Sequence, residues 1–387
     1  MKKYDVIIVG AGMIGAALAL ALAQNNFSVC LIDTKKPDRN DAKNDYDLRV
    51  SAITPKTAAL LKQLNIWDEI LKKRVQAFSQ MQVFNEAHTI HFDATEIGKT
   101  ALGWLVENTI IQTCLLDALE KFPIASCLMP AQIESFNKTT AGVEVYLKQH
   151  ETIKAELLVA ADGANSWVRQ QLGIDIKSWS YQQTAMVATV ETANDHQQTA
   201  WQRFLSTGPL AFLPLDTKNI CSIVWSCTTD KAESLQRLDD DAFNQVITAE
   251  SNLPLGSIKL ISQRRVFPLM MRHTHQYVQE NIALIGDAAH TIHPLAGQGA
   301  NLGFADVEKL IDIILLARSK KKSIGCLSYL RKYERERKTK VAQMIMLMES
   351  FHQLFTHDHT GIAYLRKHGL SLMNRINPIK NKIMSTF

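Results

Sequence analysis

Tyr4-Asp5-Val6-Ile7-Ile8-Val9-Gly10-Ala11-Gly12-Met13-Ile14-Gly15 opens the first unit of the chain, and Asp33 closes it. Residues 4–9 form a short β-branched apolar run, the pattern of a strand buried on both faces. Residues 16–24 are rich in Ala and Leu and favour helix. Residues 27–33, Phe-Ser-Val-Cys-Leu-Ile-Asp, read as the next strand, which makes a βαβ unit. Between the first strand and the helix stands G-x-G-x-x-G, and Asp33 follows its last glycine by 18 residues. In that setting the motif is a dinucleotide-binding fingerprint. Gly10 permits the tight turn, Gly12 lets backbone approach a pyrophosphate, and Gly15 allows the helix to pack close to the strand. The phosphates belong on the helix N-terminus, over the turn that also carries Ile14. Asp33 is placed to accept hydrogen bonds from a ribose. The fingerprint does not say which dinucleotide.

Two further motifs bear on that choice. Asp162-Gly163 follows the apolar run 157–161, and Gly286-Asp287-Ala288-Ala289-His290 follows the run 282–285. Each puts an acid at the carboxyl end of a parallel strand, where ligands bind in such sheets. Either acid also fits a plain cap on the helix that follows. Elsewhere, 35–48 reads as a loop, 55–71 and 108–119 as helices, and 82–92 as a hairpin. Residues 131–136, 142–147, 182–190 and 220–226 read as strands. From Gly303 onward the chain reads as helical, with breaks near Gly325, Gly361 and Pro378.

With the glycine motif, the two acidic motifs resemble the aromatic-hydroxylase class of flavoprotein monooxygenases, the para-hydroxybenzoate-hydroxylase-like class. The segment His293-Pro294-Leu295-Ala296-Gly297-Gln298-Gly299-Ala300-Asn301-Leu302-Gly303-Phe304-Ala305-Asp306 resembles the signature of its ubiquinone-biosynthesis hydroxylase family. Pro214, in Gly208-Pro209-Leu210-Ala211-Phe212-Leu213-Pro214-Leu215, is similar to that family's substrate-domain strand. Arg49 and Gln112 match its flavin-contacting Arg and Gln.

The resemblance implies FAD on the glycine motif and the Gly286-Asp287 acid at the ribityl and phosphate region. It implies Asp162 near both FAD and a nicotinamide donor. No second glycine-rich βαβ unit stands in the sequence, and the resemblance implies that NAD(P)H binds transiently, reduces the flavin and leaves, and that O2 then gives a flavin hydroperoxide that hydroxylates an electron-rich phenol. Bare backbone at Gly297, Gly299 and Gly303, with Ala300 and Asn301 in the same turn, can present N–H groups to the flavin carbonyls. Pro294 and Gly297 are the residues expected to shape the pocket where oxygen reacts. His290 and His293 invite a metal or general-base reading, but three residues apart and lacking a third ligand they read as structural.

The expected fold is α/β: a doubly wound Rossmann-like FAD domain, an inserted β-rich substrate domain and a helical C-terminal segment. The expected division is FAD-binding parts at 1–74, 106–179 and 273–325, substrate-domain parts at 75–105 and 180–272, and a basic helical segment at 326–387. A chain of 387 residues exceeds the size of about 250–300 at which one core stops growing, which agrees with two substructures.

Composition narrows the rest. The net charge of +5 hides an asymmetry: from Arg318 onward stand 15 Lys/Arg against 4 Asp/Glu. Val341, Ile345, Met348, Phe351 and Phe355 lie on one helical stripe behind Arg331, Lys332, Arg335, Arg337, Lys338 and Lys340. That pattern suits packing on the chain's own core, a homo-oligomer contact, an interfacial helix on a membrane surface, or another ubiquinone-biosynthesis protein. The six cysteines form no Cys-x-x-Cys and read as free thiols, with no metal site. No run approaches a spanning helix, and Asp5 interrupts any signal-like start, so a cytoplasmic location, peripheral on the inner membrane, is expected. A lipophilic phenol or quinol is the expected partner, and nucleic acid is not. Two other readings stay open: a different flavin enzyme of this fold, such as a prenyl reductase, and a non-catalytic flavoprotein scaffold. The halogenase segment Trp-x-Trp-x-x-Pro is absent.

Overall fold

Lys2–Val9 lies in the middle of a parallel sheet ordered Ile282–Leu284, Ile153–Ala160, Lys2–Val9, Val29–Ile32 and Ala125–Leu128. The computed structural model describes residues 2–37, 46–85, 88–148, 152–292 and 298–356. Val6, Ile7 and Ile8 are fully buried, as a strand covered on both faces requires. Helix Met13–Gln24 crosses the sheet with every residue from Gly15 to Ala23 buried. Its alanines let Asn108–Leu119 and Gln298–Ser319 pack against it.

A second sheet of nine strands stands beside the first. Its order is His290–Thr291, Arg265–Thr274, Ile176–Thr192, Ile220–Thr228, Gly208–Pro214, Thr199–Leu205, Gln80–Asn85 and His88–Asp93, with Ile258–Leu260 paired onto Ile176–Thr192. Strand alternation divides its residues between two faces. Met186, Phe212, Ile223 and Trp225 pack on helices Thr229–Arg237 and Asp240–Ser251 through Leu235, Phe243 and Ile247. The intervening residues Val187, Ala211, Ser222, Val224 and Ser226 face the other way, into a cavity. A small sheet of Val50–Ile53, Gly103–Glu107 and Val75–Phe78 joins the two bodies.

Local differences from the sequence reading have clear causes. The expected helix 55–71 is two helices, Pro55–Gln63 and Trp67–Leu71, because Asn65 takes a left-handed turn at φ 56. The segment 180–272 is not sheet alone: it carries two helices whose first turns are capped by the side chains of Thr228 and Asp239. The strand expected at 131–136 runs Ile133–Thr139. Part of the expected loop 35–48, residues 38–45, and the breaks near Gly361 and Pro378 lie outside the described residues.

The terminal helix Leu327–Thr356 is tied to the sheet by a buried ionic cluster. Asp306 is fully buried; its Oδ1 accepts from Arg337 Nε at 2.5 Å, and its Oδ2 accepts from Gly286 N at 2.8 Å and from His290 Nε2 at 2.7 Å. Burial opposes the charge on Asp306, but His290 and Arg337 outweigh it and hold the carboxyl below its usual range. Arg337 also donates to Leu302 O at 3.1 Å, and Tyr333 donates to Leu284 O at 2.9 Å. Arg337→Met leaves the carboxylate short of its main cation. We expect it to lower stability by about 3–5 kcal/mol, whereas the paired change Asp306→Leu with Arg337→Met costs less. Denaturant unfolding of both variants checks this.

Candidate active site

The glycine turn is built by contacts on both sides. Gly10 adopts φ 104, and a Cβ there would meet Ala161 O at 2.3 Å. A Cβ on Gly15 would meet Gly10 O at 1.9 Å, so the helix sits against the turn only because this residue is glycine. Gly12 differs: a Cβ there would meet nothing within 4 Å. Ala11 is clamped from two directions, donating its N–H to Asp33 Oδ2 at 2.8 Å while its carbonyl accepts from Gln112 Nε2 at 2.7 Å. Asp33 Oδ1 also accepts from Lys35 N at 3.0 Å.

This turn opens onto a cavity of about 1230 Å³. Gly10, Gly12, Ile14, Asp33, Arg49, Asp162, Gly286, Asp287, Gly299 and Ala300 all line it. Met13–Gln24 begins there with no side-chain cap and no acid in its first turn, so its free N–H groups and positive dipole end face the space. Asp162 Oδ2 accepts from Val168 N at 3.1 Å, the helix-capping role, while its buried Oδ1 has no protein partner. Burial raises its carboxyl, against hydrogen bonds from Ser166 and Val168 that pull it down. Asp287 lines the cavity with its side chain exposed, and desolvation by the surrounding protein raises its carboxyl although His290 and Arg49 act the other way.

Three of the expected residues, Gly15, Gln112 and Asn301, stand outside the cavity wall. Gln112 reaches the glycine turn from behind. Asn301 is buried and ties its helix to the small sheet: its Oδ1 accepts from Thr54 N at 3.1 Å and Thr57 Oγ1 at 2.8 Å, and its Nδ2 donates to Ala52 O at 2.8 Å. His293, Pro294 and Gly297 lie outside the described residues. His290 is buried on Asp306, and no group of three or more metal-ligating side chains occurs among the described residues.

The structure adds a residue the sequence reading did not single out. Arg169 is 4% exposed, and it donates to Ala288 O at 2.9 Å and to Ala164 O at 3.0 Å. One guanidinium thus fastens the Asp162-Gly163 turn to the Gly286-Asp287 turn. Burial lowers its pKa, opposed by nearby Asp162. Its only sequence signal is its place, six residues past Gly163, on the helix that follows the turn.

A dinucleotide fits this end of the cavity. Gly12 leaves room for a phosphate, the first helical turn is uncapped, and the Asp162 Oδ1 acceptor awaits a donor. The cavity exceeds the roughly 300–1,000 Å³ of ordinary small-molecule sites and extends to the nine-stranded sheet, so a second molecule can lie beside the first.

This combination defines a dinucleotide-binding protein with room for a second molecule beside the cofactor. A FAD-binding-domain family model matches residues 3–348. The chain is 37% identical over 385 residues to 3-demethoxyubiquinol 3-hydroxylase of Escherichia coli, covering 99% of this chain and 98% of that protein. It is 33% identical to ubiquinone hydroxylase UbiL of Rhodospirillum rubrum, covering 99% and 89%. It is 32% identical to the mitochondrial ubiquinone biosynthesis monooxygenase COQ6 of Homo sapiens, covering 99% and 92%. The chain belongs to the ubiquinone-biosynthesis hydroxylases, a family of FAD-dependent monooxygenases. Solved structures share the fold: p-nitrophenol 4-monooxygenase PnpA of Pseudomonas putida has a TM-score of 0.82 at 16% identity, covering 100% of this chain and 98% of that one. Pseudomonas aeruginosa PqsL in complex with 2-aminobenzoylacetate has a TM-score of 0.81 at 19% identity, covering 96% and 100%.

The glycines separate folding from cofactor binding. Gly12→Val places its side chain in open space and should give a folded protein with little or no FAD. Gly15→Val drives a side chain into Gly10 and should not fold. Asp287→Ala should fold and lose most of its FAD. Flavin absorbance after gel filtration, with circular dichroism for folding, checks all three.

Proposed function

We propose that this protein hydroxylates the aromatic ring of a polyprenylated phenol or benzoquinol in ubiquinone biosynthesis, consuming NAD(P)H and O2. The observation that carries this reading is one cavity with two unlike ends. All four charged residues of the described wall, Asp33, Arg49, Asp162 and Asp287, stand at the dinucleotide end. The other end is walled by residues such as Phe78, Met81, Phe92, Leu213 and Phe267, and suits an apolar ring and its prenyl chain.

FAD bound at the dinucleotide end supplies electron acceptance from the nicotinamide and activation of oxygen. The N–H groups of the first turn of Met13–Gln24 would hold its pyrophosphate, with Asp33 at a ribose. Asp287 would meet the ribityl region, and Gly299 and Ala300 the ring system. Arg169 keeps the two acidic turns at a fixed spacing. The nine-stranded sheet orients the phenol and excludes water, so that the reacting carbon meets activated oxygen rather than solvent. In this reading 1–74, 106–179 and 273–325 build the cofactor side, and 75–105 and 180–272 the substrate side. With a prenylated phenol, the product should carry one oxygen atom from 18O2 and none from labelled water, as read by mass spectrometry. Label arriving from water would overturn the hydroxylase reading.

A substrate this apolar resides in a bilayer, so we infer peripheral membrane contact. No helix among the described residues is long and apolar enough to cross a membrane. On Leu327–Thr356, Arg331, Lys332, Arg335, Lys340 and Met346 are exposed, whereas Val341 is buried and Ile345 packs toward the Leu269–Met271 cluster. Part of the apolar stripe therefore belongs to the core, and the basic face is what remains for lipid. Met348, Phe351 and Phe355 have side chains outside the described residues. Replacing Arg331, Lys332 and Arg335 by Glu should weaken binding to anionic vesicles strongly, since each basic residue contributes about 1 kcal/mol near such a surface. Sedimentation with vesicles at low and high salt checks it, with FAD content unchanged.

A further inference from the structure

The sheet end of the cavity is not uniformly apolar. Gln202, Ser222 and Ser226 line it, at 9%, 2% and 4% exposure. Among the described residues none of the three side chains has a hydrogen-bond partner, and none of their polar atoms is sealed from solvent. Their polar atoms therefore reach the cavity, where a ligand that shuts out water must pair with each of them or leave it unpaired at a cost of about 1–3 kcal/mol.

Their register sets them around one spot. Ser222, Val224 and Ser226 alternate along Ile220–Thr228 and share a face, so the hydroxyls stand about 7 Å above and below Val224. Val224 pairs with Ala211, and Ala211 pairs with Gln202. The amide therefore comes in two strands away, about 10 Å, at the height between the serines. Ala211 and Val224 are the floor inside this polar triangle. Both lack bulk, which leaves depth for a flat ring.

We propose that Gln202, Ser222 and Ser226 form the subsite that grips the oxygen substituents of the substrate ring and so fixes which ring carbon faces the flavin. The assignment rests on the hydroxylase reading above and refines it. The chemistry selects a neutral, oxygen-bearing ring. A hydroxyl both donates and accepts, as does the amide, so the trio can pair with phenol O–H groups and with ether oxygens alike. An uncharged trio gives a ring carboxylate no cation, and Arg49, the cationic side chain of the described cavity wall, stands at the opposite end. These are positioning residues. They exchange no proton with the reacting carbon.

The test separates binding from turnover. Two short-chain prenylated phenols are titrated into FAD-loaded protein, one with a single ring oxygen and one with additional hydroxyl or methoxy groups, and read by perturbation of flavin absorbance. The wild type should prefer the oxygen-rich ring. Gln202→Leu and the double variant Ser222→Ala with Ser226→Ala should each reduce that preference by about five- to tenfold, the loss of a hydrogen bond. Gln202→Glu, which keeps the acceptor and adds charge, should weaken both ligands. In turnover, Gln202→Leu should raise KM for the oxygen-rich ring and spread hydroxylation over more than one carbon in the product. Unchanged preference in every variant, with FAD content at the wild-type level, overturns the subsite. Failure of the wild type to hydroxylate either phenol overturns the hydroxylase reading instead, and the binding titration still decides the subsite.

Discussion

A single carboxylate, Asp306, holds the site in shape. It lies on the long helix behind the cofactor turn, out of reach of solvent, and it binds three things at once: the Gly286 amide, the His290 ring and the Arg337 guanidinium, which in turn donates to the Leu302 carbonyl. A buried charge is tolerable only when its lone pairs are occupied and its cation is in place. Here the partners that satisfy it belong to the cofactor turn, the edge of the substrate sheet and the terminal helix. The electrostatic requirement of one side chain therefore fixes three pieces of the fold relative to one another. Arg169 extends the same frame by joining the second acidic turn to the first.

That frame explains how one cavity serves two unlike molecules. The parallel sheet ends its strands in tight turns and helix starts, which bring backbone N–H groups and acids to one side. The nine-stranded sheet alternates its side chains, and its inward set is small and mostly apolar. The helices Thr229–Arg237 and Asp240–Ser251 cover its other face with Leu235, Phe243 and Ile247, so the sheet is rigid where it forms the wall. The dinucleotide side is thus made by backbone and the substrate side by side chains. The first varies little with sequence as long as its glycines stay, whereas the second can change specificity one residue at a time.

How much of this was legible follows from where the information lies. The glycine turn was readable because its motif is contiguous: Gly15 is required by Gly10 in the same turn and Gly12 by open space there, although the contact that requires Gly10 comes from the distant Ala161. The acids at 162 and 287 were readable because strand ends announce them. Arg337 was not, since in the run from Arg331 to Lys340 it looks like any other basic residue, and only the fold shows that it alone is buried. Asp306 sat in plain view within the signature segment, but its partners are 16, 20 and 31 residues away. Gln202, Ser222 and Ser226 were illegible for a different reason. An alternating strand says which residues share a face, yet not which face looks inward. The two missed helices were a failure of reading, because Thr228 and Asp239 are ordinary caps.

The terminal helix has a consequence for the order in which the molecule can be made. The central strand Lys2–Val9 needs Ile153–Ala160 beside it, Ile153–Ala160 needs Ile282–Leu284, and the turn after that strand is set by residues 306 and 337. On a ribosome, the glycine turn emerges well before the last of its supports, because Asp306 and Arg337 lie roughly 300 residues further along the chain. Until then the nascent chain exposes the apolar faces of both sheets and holds no finished pocket. A finished cofactor pocket therefore forms late in synthesis, after a long interval in which apolar surface stands exposed to aggregation.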